Sequence, residues 1–285
     1  MEPVYADLHI HTSASDGTLS PGELVNHAAE AGLGVIAITD HDTVDGLACA
    51  HSICPPSLTV INGVEFSCIY GGGVPFLLHV LGYGIDPESP AIRKLVDLGY
   101  QTRLKKHSLR LDYLRRVYSI EFDEGELEYL YTRPSVSKLH IAELLRRRGM
   151  CFTIKDGIER FMSSPDFPEG SISHKAAIDG IIGAGGIPVY AHSLGGECEK
   201  HLSLAEAERR IAIMKSEGIM GLECYYSRYS KDEISFLLSL ADKYGLLVSG
   251  GSDFHGSNKT VLIGELSASG DLVTSDRLGI IDKIL

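Results

Sequence analysis

Short runs of branched and aromatic residues alternate along this chain with segments whose apolar positions recur every three or four residues. In the first third, "VYADLHI", "VIAITD", "LTVINGVEF" and "FLLHVLGY" read as strands bounded by Gly, Pro or Asp. Between the first two, "SPGELVNHAAEAG" offers Ser20 as N-cap, Pro21 at the first helical position, Glu23 completing a capping box and Gly32 as a stop. From Ser89 to about Gly170 the β-type runs nearly vanish. Ile92, Leu95, Val96, Leu104, Leu111 and Leu114 mark a long helix, interleaved with Arg103, Lys105, Lys106, Arg110, Arg115 and Arg116, and "RPSVSKLHIAELLRRRGM" marks a second. The alternation then returns through "AAIDGIIGAGG", "IPVYAH", "AEAERRIAIMKSEG", "IMGLECYY", "SKDEISFLLSLADKYG" and "LLVSGGSD". Strands separated by helices predict βαβ units and a mostly parallel sheet. The expectation is an α/β barrel domain from residues 1–88 and 171–285, built of seven β/α units, around an inserted, mainly helical subdomain at 89–170.

Composition narrows the class. At 285 residues and 44% hydrophobic, the chain can bury a large core. No apolar run is long enough to span a bilayer and the start lacks a signal-peptide pattern, so a cytoplasmic protein without membrane contact is expected. The six cysteines form no C-x-x-C pair and read as free structural thiols. A net charge of -12 argues against general nucleic-acid coating, and the basic long helix reads as a solvated face. Residues 1–88 hold no lysine or arginine against eleven acidic residues. Carboxylates clustered without basic partners point to cations.

The candidate chemistry sits on the strand ends. His9 and His11 end the first strand, with Asp16 just beyond; His41 follows the second, Glu65 ends the third and His79 lies in the fourth. His192 ends "VYAH", and Asp253 and His255 follow the last strand. Residues i and i+2 of a strand point the same way, so His9 and His11 can offer two imidazoles to one cavity. The C-terminal strand ends of a parallel barrel converge on one face. Nine imidazole and carboxylate ligands are too many for one ion and suit two or three, with Glu65 able to bridge. His27, His51, His107, His140 and His201 lack ligand spacing, and His174 is left open.

"DLHIHTSASDG", "ITDHDT", "GVEFS", "AHS" and "GSDFH", in that order, resemble the motifs of the PHP (polymerase and histidinol phosphatase) family of metal-dependent phosphoesterases. That resemblance implies a distorted seven-stranded (β/α) barrel of PHP type and two or three divalent metal ions, manganese first, with iron or zinc as alternatives. Its ligands fall on the same nine residues. His9, His11, Glu65, His79, His192 and Asp253 would hold a tighter pair of ions, and Asp16, His41 and His255 a third ion or the leaving-group side. Asp16, Glu65 and His255 form the expected catalytic set, with His255 or Asp16 protonating the leaving oxygen. Asp7 and Asp40 are expected to orient imidazoles. Ser193 stands where many relatives have proline.

The helical insertion with its "TRPSV" element resembles the branch containing 3',5'-nucleoside bisphosphate phosphatases and short-RNA exonucleases. The implied reaction removes the 3'-phosphate of a nucleoside 3',5'-bisphosphate, giving a 5'-monophosphate and phosphate, with short oligonucleotides as a further substrate and no obligatory protein partner. Because residues 1–88 offer no cation, a second phosphate would be gripped by Arg133, Ser135, Lys175 or Arg228. The alternatives are a histidinol-phosphate-type phosphatase, a 5'-3' exonuclease, an amidohydrolase, and a metal-binding module without turnover. Binuclear amidohydrolases usually bridge their metals with a carboxylated lysine, and no lysine lies near the first four strands.

Overall fold

The computed structural model describes residues 2–133, 135–162, 171–197 and 199–285. The chain opens with β1 (Tyr5–Ile10), α1 (Pro21–Glu30), β2 (Leu33–Ile38), α2 (Leu47–Ile53), β3 (Thr59–Tyr70) and β4 (Phe76–Tyr83). Four helices follow: α3 (Pro90–Tyr118), α4 (Glu124–Tyr131), α5 (Lys138–Arg147) and α6 (Ile154–Phe161). The remainder is β5 (Ile172–Ser173), α7 (His174–Gly183), β6 (Ile187–Tyr190), α8 (Leu204–Ser216), β7 (Gly221–Tyr226), α9 (Lys231–Tyr244), β8 (Leu247–Gly251) and α10 (Ile281–Ile284).

Seven strands run in the order β1-β2-β3-β4-β6-β7-β8, with the two-residue β5 pairing β3. The sheet curls until its edges meet: His11 N–H donates to the Phe254 carbonyl and Asp253 N–H to the His9 carbonyl, joining β1 to the segment after β8. A nearly closed barrel flanked by helices results. Gly251 permits this closure, since a Cβ there would collide with the Cβ and backbone nitrogen of His9.

The sheet is mostly parallel, as expected, with one exception: β4 runs antiparallel to both β3 and β6. Only five residues, Gly71 to Pro75, link β3 to β4, which is too few for a crossover helix and enough for a hairpin. Reversal of β4 carries its N-terminal half to the face where its neighbours' C-terminal ends lie. His79 therefore sits opposite Ser67 of β3 and reaches the other ligands from within a strand.

The predicted caps are present. Ser20 accepts from Glu23 N–H and the Glu23 carboxylate accepts from Ser20 N–H, with Pro21 at the first turn. Ser89 caps α3; capping boxes not expected from the sequence also open α4, α5 and α9. Arg133 and residues 135–137 are not helical, Pro134 lies outside the described residues, and α5 starts at Lys138 after its N-cap Ser137. Two apolar cores are present. The larger fills the space between barrel and helices and includes Ile92 and Leu95 of α3; the smaller joins Leu114, Leu130, Ile141, Leu145 and Phe161 within the α3–α6 region. One long helix thus belongs to both cores.

Candidate metal centre

Period-two geometry turns Asp7 and His9 of β1 into the barrel, with His11 just past the strand, while Leu8 and Ile10 pack outward. The loop after His11 doubles back, and Asp40 holds it: one carboxylate oxygen accepts from Thr12 N–H (2.7 Å) and Ser15 Oγ (2.6 Å), the other from Thr12 Oγ1 (2.6 Å). That turn delivers Asp16. His41 follows β2 through an isolated bridge to Glu65. His192 (φ 25°) and Asp253 (φ 59°) sit in left-handed backbone conformations that are rare for residues with a Cβ.

Glu65 lies at the centre. Its Oε2 is 3.3 Å from His9 Nε2, 3.4 Å from His11 Nε2 and 2.9 Å from His41 Nδ1; its Oε1 is 2.9 Å from His79 Nδ1 and 3.1 Å from His192 Nε2. On one side, Asp253 Oδ1 stands 3.3 Å from His11 Nε2 and 3.6 Å from His9 Nε2. On the other, Asp16 Oδ1 stands 3.1 Å from His255 Nε2. All nine ligands expected from the sequence converge on one end of the barrel.

Several of these atoms are buried without a hydrogen-bond partner: both nitrogens of His11, His9 Nε2, His41 Nδ1, Asp16 Oδ1 and Glu65 Oε2. Orphaned buried donors and acceptors are costly, and this set has the chemistry that divalent cations satisfy. The donor atoms form four overlapping groups: His11, Asp16, His41 and His255; His9, His11 and Asp253; His41, Glu65 and His79; His79, His192 and Glu199. Within each group the ligand atoms lie within 4.8 Å of one another. The residues present fit a metal centre.

The surrounding charges agree. Burial would raise the Glu65 carboxyl, yet His79, His41 and His9 hold it well below the usual range. Burial likewise opposes ionisation of Asp16, which His41 and His255 overcome. Burial lowers His192, but Glu65 and Glu199 outweigh it and carry the imidazole up to about 9.

Groups behind the ligands differ from expectation. Neither Asp7 nor Asp40 touches an imidazole. Asp7 accepts from the backbone N–H groups of His9, Ser252 and Gly264, tying the β1–β8 seam. Imidazole orientation falls instead to Glu223 of β7, whose Oε1 is 2.8 Å from His9 Nδ1 while its Oε2 accepts from His192 N–H at 2.6 Å. That leaves His9 Nε2 as the free ligand atom. His255 Nδ1 faces the Asp253 carbonyl at 2.9 Å and so presents Nε2 to Asp16. Tyr226 Oη (2.8 Å) and Lys259 Nζ (2.5 Å) both donate to Asp253 Oδ2, leaving Oδ1 for the centre.

Sequence reasoning passed over Glu199, Glu223, Tyr226 and Lys259. Glu223 did carry a signal, as the one acid inside the buried run "GLECYY". Arg103 was also missed: its guanidinium is nearly buried, bonds Asp42 Oδ2 (2.5 Å), Ser67 Oγ (3.1 Å) and the Val136 carbonyl (3.3 Å), and is not on a solvated face. It joins the His41 loop to the segment carrying Arg133 and Ser135.

The four expected phosphate-gripping residues are placed differently. Arg133 lies 4.3 Å over the Tyr129 ring with its Nε buried and unpartnered, and the Ser135 hydroxyl is likewise buried without a partner. Beside them His140 feels the Asp16 charge, yet burial, Arg133 and Arg103 bring it down to about 4. Arg228 follows β7 and lines a cavity that reaches Asp253. Lys175 instead pairs with Asp179 along exposed α7 and is not brought to the centre. His174 bonds the Ile69 carbonyl and Glu217, a packing role.

Comparison with known proteins agrees with this geometry. The model of the PHP domain matches residues 7–161. A 3',5'-nucleoside bisphosphate phosphatase of Chromobacterium violaceum is 31% identical over 255 residues, 87% of this chain and 86% of the relative. A 5'-3' exoribonuclease of Salmonella typhimurium is 31% identical over 258 residues, 88% and 85% of the two chains. Among solved structures, a Bifidobacterium adolescentis chain provisionally described as a metal-dependent phosphoesterase superposes with a TM-score of 0.82 at 28% identity, over 98% of this chain and 95% of that one. Matching motifs, barrel and convergent donors lead to one assignment: this chain belongs to the PHP family and is a hydrolase of phosphate esters that works with metal.

Proposed function

We propose that the protein removes the 3'-phosphate from nucleoside 3',5'-bisphosphates using two or three divalent ions, manganese first, held by His9, His11, Asp16, His41, Glu65, His79, His192, Asp253 and His255. The observation that carries this reading is Glu65, one carboxylate within 3.4 Å of five imidazole nitrogens, several of them orphaned. Divalent ions bound there would lower the pKa of water and offset charge on the phosphoryl oxygens. The chain's own residues do the rest. Glu65 would help hold more than one ion, since Oε2 faces His9, His11 and His41 while Oε1 faces His79 and His192. The Asp16–His255 pair, 3.1 Å apart at the edge of the cluster, can hold a proton for the leaving oxygen. The described part of the insertion, residues 89–133 and 135–162, acts as a subdomain roofing this face, with Arg133 and Ser135 turned to substrate from the roof and Arg228 from the barrel. The relatives named above act on nucleotides or RNA, which supports a phosphate ester on a ribose as substrate class.

The test is phosphate release by the manganese-loaded protein from adenosine 3',5'-bisphosphate, adenosine monophosphates, histidinol phosphate and a short RNA. A kcat/KM for the bisphosphate at least tenfold above the others supports the reading. Equal rates on all of them would leave a phosphoesterase without this specificity.

A further inference from the structure

A cavity of about 480 Å³ opens beside the metal centre between the segments that follow β6, β7 and β8. Its inner end is Asp253 and Lys259; Arg228, Ser227, Ser269 and Lys155 line the rest, the last contributed by α6 of the insertion. Three carboxylates, Glu197, Asp253 and Glu265, and three cations, Lys155, Arg228 and Lys259, line it, and they are engaged unevenly. Asp253 Oδ2 already accepts from Tyr226 and Lys259, and Glu265 Oε2 accepts from Leu262 N–H at 3.0 Å. Arg228 meets Glu197 only at 3.9 Å, and Lys155 meets Glu159 only at 4.0 Å. Both cations can therefore turn to an anion entering the cavity without breaking a close pair. The one aromatic residue lining it, Tyr226, is buried and commits its hydroxyl to Asp253, so no exposed aromatic face among the lining residues awaits a nucleobase.

We infer that this cavity seats the substrate's second phosphate together with the ribose that carries it, while the base stays outside. The inference rests on the bisphosphate reading above and specifies it. Arg228 grips the phosphate with its bidentate fork, Lys155 adds charge from the insertion, and the serine hydroxyls meet the sugar. Lys259 neutralises Asp253 at the boundary, so the second phosphate avoids an unshielded carboxylate. Glu197 competes for Arg228. The ligand class is a phosphorylated ribose, whether part of a nucleotide or free, and the identity of the base is of little consequence.

Calorimetric titration of the metal-free protein with ribose 5-phosphate reads this subsite apart from catalysis. Arg228→Gln should weaken binding about tenfold or more, and Glu197→Gln should tighten it by freeing the arginine. With the manganese-loaded enzyme, Arg228→Gln should raise KM for adenosine 3',5'-bisphosphate at least tenfold more than KM for 4-nitrophenyl phosphate. Adenosine, cytidine and uridine 3',5'-bisphosphates should give KM values within about threefold of one another, and adenosine should not compete with ribose 5-phosphate. The inference is overturned if Arg133→Gln rather than Arg228→Gln abolishes sugar-phosphate binding, if neither variant weakens it, or if adenosine displaces the sugar phosphate. Loss of the bisphosphate preference in the wild-type enzyme, with Arg228-dependent ribose 5-phosphate binding intact, would refute the substrate reading and leave the subsite standing.

Discussion

Single carboxylates decide most of what this site can do. Glu65 reaches an imidazole of every donor group, so Glu65→Gln removes a charge that five imidazoles share. Its activity should fall at least a hundredfold, and metal content after dialysis should fall with it. A variant with full metal occupancy and wild-type rates would disprove the central role. Glu223 acts one step back, holding His9 by Nδ1 and the His192 backbone. Glu223→Gln should keep the fold and weaken metal affinity about 10- to 100-fold, measurable by competition with a chelator. The convergence of the nine candidate ligands was legible in the sequence because strand periodicity and motif order both mark them. The sequence could not give Glu223 or Lys259, whose meaning depends on which side chain faces them across the barrel, 214 residues away for Glu223 and His9. The same holds for Asp7, whose partners are backbone groups of Ser252 and Gly264.

At the level of elements, α3 bears the most. Ala91 and Leu95 approach Gly183 and Gly180 of α7, Arg103 locks onto Asp42, and the helix then leaves the barrel to build the second core. The long helix and its cap were legible from Ser89 and the apolar spacing, whereas the reversed β4 was not, since a strand's direction leaves no trace in its own residues. His107 on this helix is buried with neither nitrogen hydrogen-bonded. Burial, with Arg110 and His140, brings it down to about 3. The unfolded chain takes up a proton at this ring below a pH of about 6.5, whereas the folded chain resists until near 3. Stability present above pH 6.5 is therefore lost as pH falls through that window, by about 1–2 kcal/mol at pH 5. His107→Leu should show a smaller drop in Tm between pH 7 and pH 5 than the wild type; an equal drop would assign the loss elsewhere. At the seam, Gly251→Ala should lower Tm sharply, because β8 cannot approach His9 with a Cβ in the way.

For the whole molecule, the barrel and its centre are one cooperative object. The ligands come from β1, β3, β4 and the segments that follow β1, β2, β6 and β8, so an ion bound there ties together parts of the chain that are far apart in sequence. Ligands that bind only the folded state stabilise it by mass action, about 2.7 kcal/mol at a hundredfold excess over Kd. Titrating manganese into chelator-treated protein should raise Tm progressively, and a flat response would contradict a preformed centre. The described residues contain no helix long and apolar enough to cross a membrane.

The reversal of β4 has one more consequence. It delivers the chain to the far end of the barrel at Tyr83, so the insertion must climb back before it can cover the metals. From Pro90 to Arg103 the helix rises about 20 Å, and from there to Tyr118 it runs on for about 22 Å into the second core. If the insertion roofs the centre as proposed, the length of this stretch sets the headroom beneath it. Removing seven residues, about two turns, beyond Arg103 would lower the roof by about 10 Å while keeping nearly the same face inward. On the proposed reading, the length of substrate accepted would then change in steps of helical turns, without altering any of the nine candidate ligands.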